Sequence, residues 1–210
     1  KLMTLVGRLI QDPDTESLIR KYLNAGVMVK GKYEVTTKGT PQGGNLSPLL
    51  SNIMLNELDK ELEARGLHFV RYADDCVIMV KSSAAANRVM HTITSWIERK
   101  LGLKVNMTKT KVTTPKKLKY LGFGFWKRKE EWKARPHQES VQKFKRELKR
   151  LTRRSWSIGM TERIKRLNWV IRGWINYFRM GNMKDAMSKI DEWLRTRIRL
   201  SLIHISEPTR

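Results

Sequence analysis

Two adjacent carboxylates, Asp74 and Asp75, separate two short runs of β-prone residues at 69–73 and 76–80. This pattern predicts a β-hairpin with the aspartates at its tip, where one or both side chains can face the same cleft. Neighbouring carboxylates repel each other unless cations neutralise them, and Mg²⁺ prefers carboxylate oxygen. The pair therefore indicates a site for two magnesium ions that perform phosphoryl transfer. A solvated turn without a function is the alternative for the dipeptide taken alone.

A second segment whose residues could take part in binding or catalysis is the loop at 38–44, where Gln42 precedes Gly43 and Gly44. Glycines allow a backbone to approach a ligand closely, and Gln42 adds a polar amide. A plain turn is the alternative. Ser47-Pro48 then predicts the start of a helix that ends at Gly66.

Other elements must position these residues. Up to Trp126, helical spacing alternates with short β-prone runs, which predicts an α+β domain with an antiparallel sheet. We expect helices at 2–10, 15–25, 47–65 and 83–100, a hairpin at 27–35, and strands at 103–105, 111–113 and 120–126.

The chain changes character after Trp126. Residues 127–137 are charged and linker-like, and three amphipathic helices are expected within 138–199. The predicted apolar stripes are Val141, Phe144, Leu148 and Leu151; Ile164, Leu167, Ile171, Trp174 and Phe178; and Met187, Ile190, Leu194 and Ile198. Lys165, Arg172 and Arg179 follow one another at intervals of seven residues on a polar face, which favours contact with a phosphate backbone over a merely solvated face. For Trp169, Trp174, Tyr177 and Phe178, a core position and an RNA-stacking position are both open.

The 210 residues carry a formal net charge of +23, which favours a nucleic-acid partner, with a ribosomal-type basic protein as the alternative. Residues 1–125 contribute +9 and residues 126–199 contribute +14. Cys76 is the only cysteine, which excludes an internal disulfide and a cysteine-based zinc site. No apolar run approaches the length of a membrane span, so we expect no membrane partner.

Several ordered blocks together resemble a known family. The loop at 40–44, the run 47–50 and the run 69–75 are similar to the bacterial reverse transcriptase signature. Asn106 with the run 109–111, and then the run 120–125, are similar to its next two blocks. The runs 167–169 and 172–178 resemble the maturase region of group II intron reverse transcriptases. The resemblance covers residues 1–199.

This resemblance implies a reverse transcriptase palm at 1–126, a linker at 127–137 and a helical thumb and maturase region at 138–199. It further implies an RNA-directed DNA polymerase that also assists intron splicing and mobility. Its implied partners are intron RNA, template RNA, primer DNA and deoxynucleoside triphosphates, and its implied location is the bacterial cytoplasm at the nucleoid. The implied roles are magnesium binding and catalysis by Asp74 and Asp75, nucleotide or template contact by Gln42, Gly43, Tyr72 and Lys109, a primer grip at Leu121, Gly122 and Phe123, and RNA binding by Lys165, Arg172 and Arg179. For Lys109, an ordinary surface lysine is the alternative.

The sequence departs from the family pattern at both ends. The family has a further catalytic aspartate on a strand upstream of the first helix, and neither that block nor the fingers blocks are present. Asp12 and Asp14 lie in a predicted turn and are poor substitutes. We therefore expect these residues alone to bind RNA without polymerising DNA. Residues 200–210 resemble a translated sequencing adapter and are expected to lie outside the native fold.

Three other functions are consistent with parts of the sequence. The maturase-like helices argue against a retron or CRISPR-associated reverse transcriptase. The intact aspartate pair argues against a splicing maturase without polymerase activity and against a structural RNA-binding protein. The sequence does not specify an oligomeric state.

Overall fold

The computed structural model describes residues 1–29, 31–35, 44–153, 155 and 158–203. The chain divides into two compact units, Lys1–Val112 and Thr113–Arg210. Within the described ranges the sheets are small and antiparallel, two with two strands and one with three. The predicted mixture of helices and antiparallel strands is confirmed, although the strands form three separate sheets. No helix in these ranges is long and apolar enough to cross a membrane.

The described residues of the first unit form four α-helices and two hairpins. In chain order these are α1 (Leu2–Leu9), α2 (Pro13–Asn24), β1 (Val27–Val29), β2 (Lys32–Glu34), α3 (Ser47–Ala64), β3 (His68–Tyr72), β4 (Asp75–Met79) and α4 (Ser83–Trp96). A π-helical turn, Ile97–Leu101, continues α4. The predicted hairpins at 27–35 and 69–80 are therefore present.

Two predictions in this unit were wrong. Helix α2 begins at Pro13 rather than at the predicted residue 15. Asp12 caps it by accepting a hydrogen bond from the Thr15 backbone N–H at 2.9 Å, and Pro13 takes the first helical position, where its missing N–H does no harm. The segments 103–105 and 111–113 form no strands. Short β-prone runs need a hydrogen-bonded partner strand, and these two segments pair with none in the described part of the chain.

The first unit's core lies between α3, α4 and one face of the β3–β4 hairpin. Its buried members are Leu58, Leu62, Ile93 and Leu101, and Phe69 and Ile78 pack against them. Phe69 and Ile78 are cross-strand partners, so their side chains share the face of the hairpin that contacts the helices. Burial of this face fixes the register of β3 on β4 and hence which residues occupy the turn.

The described residues of the second unit form a three-stranded sheet, three α-helices and a short 3-10 helix, Pro115–Lys117. The strands and α-helices are β5 (Lys119–Tyr120), β6 (Phe123–Arg128), β7 (Glu131–Pro136), α5 (Gln138–Leu151), α6 (Met160–Phe178) and α7 (Lys184–Ile203). The prediction of a linker at 127–137 was wrong, because the end of β6 and all of β7 lie there. Residues 200–203, which the sequence analysis assigned to a foreign tail, continue α7. The remainder of that tail lies outside the described residues.

The three helices of the second unit pack around one apolar core formed by Phe144, Leu148, Leu151, Leu167, Ile190 and Leu194. Phe144 stacks on Trp174 with ring centroids 4.6 Å apart. Of the predicted apolar stripes, Ile164 is the exception, since it is 46% exposed while the neighbouring Arg163 is buried. The apolar stripe of α6 therefore begins at Leu167, and in the first helical turn Arg163 rather than Ile164 faces the core.

Candidate active site and nucleic-acid interface

The Asp74–Asp75 pair lies at the turn between β3 and β4. Tyr72 and Asp75 are the last paired residues, so Ala73 and Asp74 form a two-residue turn. Ala73 has φ of +54°, a left-handed conformation that residues with a Cβ rarely adopt. Tyr72, Asp74 and Asp75 are all exposed. The turn therefore presents two carboxylates and one phenol ring to solvent from a defined backbone.

A single arginine ties this turn to helix α3. Arg71 Nε donates to Asp59 Oδ1 at 2.7 Å, and Arg71 Nη2 forms an ion pair with Asp59 Oδ2. Arg71 Nη1 donates both to Asn52 Oδ1 at 2.9 Å and to the backbone oxygen of Ala73 at 2.8 Å. The Arg71 side chain is only 13% exposed and that of Asp59 21%. The guanidinium thus connects the strained turn residue to two positions on one helix.

Cys76 lies directly across the hairpin from Arg71 and is partly buried. Burial first, and then the negative charge of Asp59, raise the pKa of the Cys76 thiol to about 11, and Arg71 acts in the opposite direction. The thiol beside the aspartate turn is therefore protonated at neutral pH and is a poor nucleophile.

The aspartate pair provides hard oxygen donors, which suit a divalent cation such as Mg²⁺. Within the described ranges, the aspartate pair included, no cluster of three or more histidine, cysteine, aspartate or glutamate side chains could hold a metal. Asp12 accepts hydrogen bonds from the hydroxyl and the backbone N–H of Thr15, and these lower its pKa. Because its carboxylate caps α2, Asp12 does not complete the set. The pair fits as part of a site for a divalent metal ion.

Of three other residues predicted to contact nucleotide or template, the structure describes only Lys109. Gln42 and Gly43 lie outside the described residues. Lys109 lies in an exposed turn that Asn106 organises, because Asn106 Oδ1 accepts from the Thr108 backbone N–H at 3.1 Å and from the Thr108 hydroxyl at 2.7 Å. The Lys109 backbone N–H donates to the backbone oxygen of Asn106 at 3.2 Å. This exposed lysine is available to an anionic ligand, but the contacts assign it no specific one.

The predicted primer grip belongs to the second unit, and it is a turn rather than a continuous strand. Leu121 and Gly122 have φ of +48° and +77° and connect β5 to β6. The Gly122 carbonyl oxygen accepts from Ser140 Oγ at 2.8 Å and from the His137 backbone N–H at 2.9 Å. The Leu121 carbonyl oxygen accepts from Tyr177 Oη at 3.0 Å. Helices α5 and α6 therefore fix this turn through its carbonyl groups.

Phe123, the third predicted primer-grip residue, begins β6 and packs on the end of α6. Its ring centroid lies 4.9 Å from that of Phe178 and 6.0 Å from that of Tyr177. Phe178 is buried and Tyr177 is exposed, so only the latter is accessible to a ligand. Of the aromatic residues of α6 for which a core and an RNA-stacking position were both open, Trp174 and Phe178 therefore lie in the core.

Lys165, Arg172 and Arg179 are all exposed, as predicted, with the first two on α6 and Arg179 at its C-terminus. No carboxylate in the described ranges forms an ion pair with any of the three. Other arginines of this unit do have such partners: Arg150 with Glu147 at 2.6 Å, Arg166 with Glu162 at 2.7 Å and Arg195 with Asp191 at 2.9 Å. The three cations form a positive stripe, and the Glu162 carboxylate, which pairs with Arg166, acts on Lys165 only from beyond ion-pair distance.

Arg71, Asp59 and Asn52 had no role predicted from the sequence. Asn52 and Asp59 are seven residues apart and therefore lie on one face of a helix, which is a visible signal in the sequence. Nothing local, however, indicates that a strand residue twelve positions beyond Asp59 meets that face.

Comparison with known families agrees with this arrangement. Residues 9–125 match the family model "Reverse transcriptase (RNA-dependent DNA polymerase)", and residues 141–204 match "Group II intron, maturase-specific domain". The chain belongs to the reverse transcriptase family. It is of the type that group II introns encode, with a maturase domain after the polymerase domain, and the resemblance stated from the sequence is confirmed. Members of this family use divalent metal ions and act on nucleic acids.

Three relatives illustrate the similarity. Protein YkfC of Escherichia coli (strain K12) is 33% identical over 145 residues, which cover 53% of this chain and 38% of that protein. The group II intron-encoded protein LtrA of Lactococcus lactis subsp. cremoris is 51% identical over 59 residues, 28% of this chain and 10% of LtrA. The uncharacterized 91 kDa protein in cob intron of Schizosaccharomyces pombe is 28% identical over 172 residues, 54% of this chain and 21% of that protein. The chain therefore spans well under half the length of these relatives.

Proposed function

We propose that this chain contributes the palm and the thumb–maturase region of a group II intron reverse transcriptase, which copies RNA into DNA and assists the splicing and mobility of its intron. In this proposal, residues 1–126 form the palm and residues 138–199 the thumb and maturase region. The observation that carries the catalytic part is the exposed Asp74–Asp75 pair on a turn that Arg71 ties to α3.

The proposed reaction is attack by the 3′-hydroxyl of a primer on the α-phosphate of a deoxynucleoside triphosphate. A new P–O bond forms, the bond to the β-phosphate breaks, and pyrophosphate leaves. Asp74 and Asp75 would hold two magnesium ions, which when bound neutralise charge that develops on the phosphate oxygens. Further carboxylate ligands would come from outside these 210 residues, so the chain alone binds RNA but does not extend a primer.

The remaining residues bind and orient substrates in this proposal. Tyr72, exposed across the hairpin from Asp75, lies against the nucleic acid near the incoming nucleotide. Lys109 neutralises part of the triphosphate, and Gln42 with Gly43 contacts the nucleotide. The turn formed by Leu121, Gly122 and Phe123 contacts the primer backbone, which is consistent with the rigid attachment of that turn to α5 and α6.

The maturase part of the proposal rests on the positive stripe of α6. Lys165, Arg172 and Arg179 lie on one side of a helix without carboxylate partners among the described residues, so their charges are available to phosphates of intron RNA. We further propose the bacterial cytoplasm, in association with the nucleoid, as the place of action.

The catalytic proposal is tested with Asp74→Asn and Asp75→Asn in the whole protein that carries this sequence. An amide keeps the size of the side chain but removes the charge that binds magnesium, so primer extension should fall by several orders of magnitude. The matched control is Asp14→Asn, which alters an exposed aspartate in the first turn of α2 and should leave extension unchanged. Normal extension by both site variants would contradict the assignment. RNA binding without extension by the unaltered protein would favour a maturase that lacks polymerase activity.

The RNA-binding proposal is tested by replacing Lys165, Arg172 and Arg179 with alanine in the 210-residue chain. The logarithm of RNA affinity should depend less steeply on salt, by about 0.7–0.9 per lost phosphate contact. The matched control replaces Arg150, Arg166 and Arg195, which removes the same charge from residues that already have carboxylate partners. Equal slopes for the two triple variants would show that the α6 cations are not a specific phosphate surface.

A further inference from the structure

The positive stripe of α6 contains an exposed aromatic side chain at its centre. Trp169 is four residues after Lys165 and three before Arg172, and it is 65% exposed. At 3.6 residues per turn, the five residues Lys165, Trp169, Arg172, Asn176 and Arg179 fall within about 80° of the helix circumference and span about 21 Å. All five are exposed. We refer to them as the α6 stripe.

Packing does not account for Trp169. The core residues of α6 lie on the opposite side and include Leu167, Trp174 and Phe178. The contact that Trp169 does make is with a cation, since Lys165 Nζ lies 5.3 Å from the centroid of its ring. An exposed indole in a row of cations combines the two contacts that unpaired nucleic acid offers, a flat base and a charged phosphate.

Gly173 provides an independent observation at the same place. It lies one turn beyond Trp169 in the interior of α6, where glycine is less favourable than alanine by about 1 kcal/mol. A Cβ added at Gly173 would meet nothing within 4 Å, so close packing does not explain the glycine. Helical side chains lean toward the N-terminus, which directs Trp169 toward Lys165 and leaves its other side next to Gly173. Because Trp169 is 65% exposed and a Cβ at Gly173 would meet nothing within 4 Å, the space on that side of the indole is open.

We propose that the α6 stripe binds unpaired RNA, with one nucleobase stacked on Trp169 in the space beside Gly173 and with the flanking phosphates bound by Arg172 and Lys165. This inference rests on the proposed RNA-binding function and adds to it the kind of RNA and the residue that contacts a base. A duplex buries its bases in the stack, so the site favours loops, bulges and single strands.

The test measures binding of the 210-residue chain to a short oligoadenylate RNA and to an abasic oligomer of equal length and charge. The ratio of the two affinities isolates the contribution of the bases from that of the phosphates. Trp169→Ala should lower this ratio roughly tenfold, within the range known for one base–aromatic stack, and should leave the salt dependence unchanged. Trp169→Phe should restore most of the ratio, because a smaller ring still stacks.

Two further variants make the test specific. Gly173→Leu places a helix-favouring side chain in the open space, so it should lower the ratio without altering any charge or Trp169 itself. Trp132→Ala is the matched control, because Trp132 is also about half exposed, while the neighbouring Lys127 and Lys133 are paired with Glu130 and Glu131. This control should leave the ratio unchanged.

The outcomes separate this inference from the function on which it rests. Suppose that alanine at Lys165, Arg172 and Arg179 flattens the salt dependence of RNA binding, but that Trp169→Ala leaves the ratio of the two affinities unchanged. RNA binding by the stripe then stands and base stacking on Trp169 is overturned. An equal loss of affinity for both oligomers would overturn it as well, since Trp169 would then act through Lys165 or the helix. If Trp169→Ala alters sedimentation of the chain and not RNA binding, the indole is a protein contact. Absence of RNA binding at low salt would contradict the proposed function itself.

Discussion

The Ala73–Asp74 turn and the Leu121–Gly122 turn both connect antiparallel strands with two residues, and in both the first residue has positive φ without being glycine. They differ in how they are held. In the first, one partly buried guanidinium reaches the backbone of the turn from within the hairpin. In the second, groups from α5 and α6 bind the two carbonyl oxygens. The first turn therefore leaves its carboxylates exposed, whereas the second is enclosed by its own unit.

This difference separates two ways of building a site. Under the proposed function, the first turn binds cations and has to keep charged side chains in solvent, so its conformation depends on a connection made through a neighbouring residue. Under the same proposal, the second turn contacts the primer with its backbone and can be fixed through several groups at once. Four substitutions would each break or sharpen this comparison, with effects at neutral pH that decrease from Arg71→Ala to Gly122→Ala, Tyr177→Phe and Cys76→Ala.

Removing the arginine should have the largest effect. Arg71→Ala leaves Asp59 and the Ala73 carbonyl without this donor, and we expect the free energy of unfolding to fall by about 3 kcal/mol. Urea denaturation of the 210-residue chain measures it. The control is Lys60→Ala on the same helix, which removes an ion pair to Glu57 of 2.8 Å whose lysine is 64% exposed, and which should cost under about 1 kcal/mol. Similar losses of unfolding free energy for both variants would mean that Arg71 and Asp59 form an ordinary surface ion pair.

The second variant tests how tightly the other turn is enclosed. In Gly122→Ala, the new Cβ would lie 3.2 Å from Ser140 Oγ and 3.3 Å from Phe178 Cζ, at φ of +77°. Backbone strain and crowding together should lower the free energy of unfolding by about 2 kcal/mol. Gly66→Ala is the control, because Gly66 also has positive φ (+64°) but a Cβ there meets nothing within 4 Å. Its loss of about 1 kcal/mol measures strain alone, and an equal loss at Gly122 would argue against close packing.

A smaller effect is expected from Tyr177→Phe. The variant keeps the ring beside Phe123 but removes the hydrogen bond to the Leu121 carbonyl, so thermal unfolding should report a loss of about 0.5–1 kcal/mol. Tyr33→Phe serves as the control, since Tyr33 is similarly exposed and its hydroxyl has no hydrogen bond to another described residue. If Tyr177→Phe proves as stable as the parent chain, the hydroxyl does not hold the turn.

The smallest change at neutral pH comes from the ionisation of Cys76, which alters the stability of the first unit only at alkaline pH. The pKa of Cys76 is raised from 9.0 to about 11, so the folded chain keeps this proton where the unfolded chain loses it. The resulting contribution to stability is complete below pH 9 and is lost as the pH rises toward 11. The unfolding free energy of the parent chain should therefore fall more steeply over this window than that of Cys76→Ala. Parallel curves would indicate that the thiol is less buried than described.

The sequence predicted most of what local patterns can encode. The aspartate hairpin, the helices and the exposure of Lys165, Arg172 and Arg179 all follow from periodicity. The β6–β7 hairpin did not, because its outer part consists of charged residues without apolar alternation, and its turn contains Lys129 with φ of +53° instead of glycine. The contacts of Arg71 were also missed, since pairing between a strand and a helix depends on tertiary packing rather than on neighbouring residues.

The three-stranded sheet has a consequence for how such proteins can be recombined. The reverse transcriptase match ends at residue 125, within β6, but that strand lies in the same compact unit as α5, α6 and α7. A chimera joined at residue 126 would separate Phe123 from the Tyr177 and Phe178 that it packs against in this chain. A junction between Val112 and Thr113 would transfer the whole sheet with its helices. A lineage that exchanges maturase regions at this natural boundary would inherit the Leu121–Gly122 turn together with the α6 stripe.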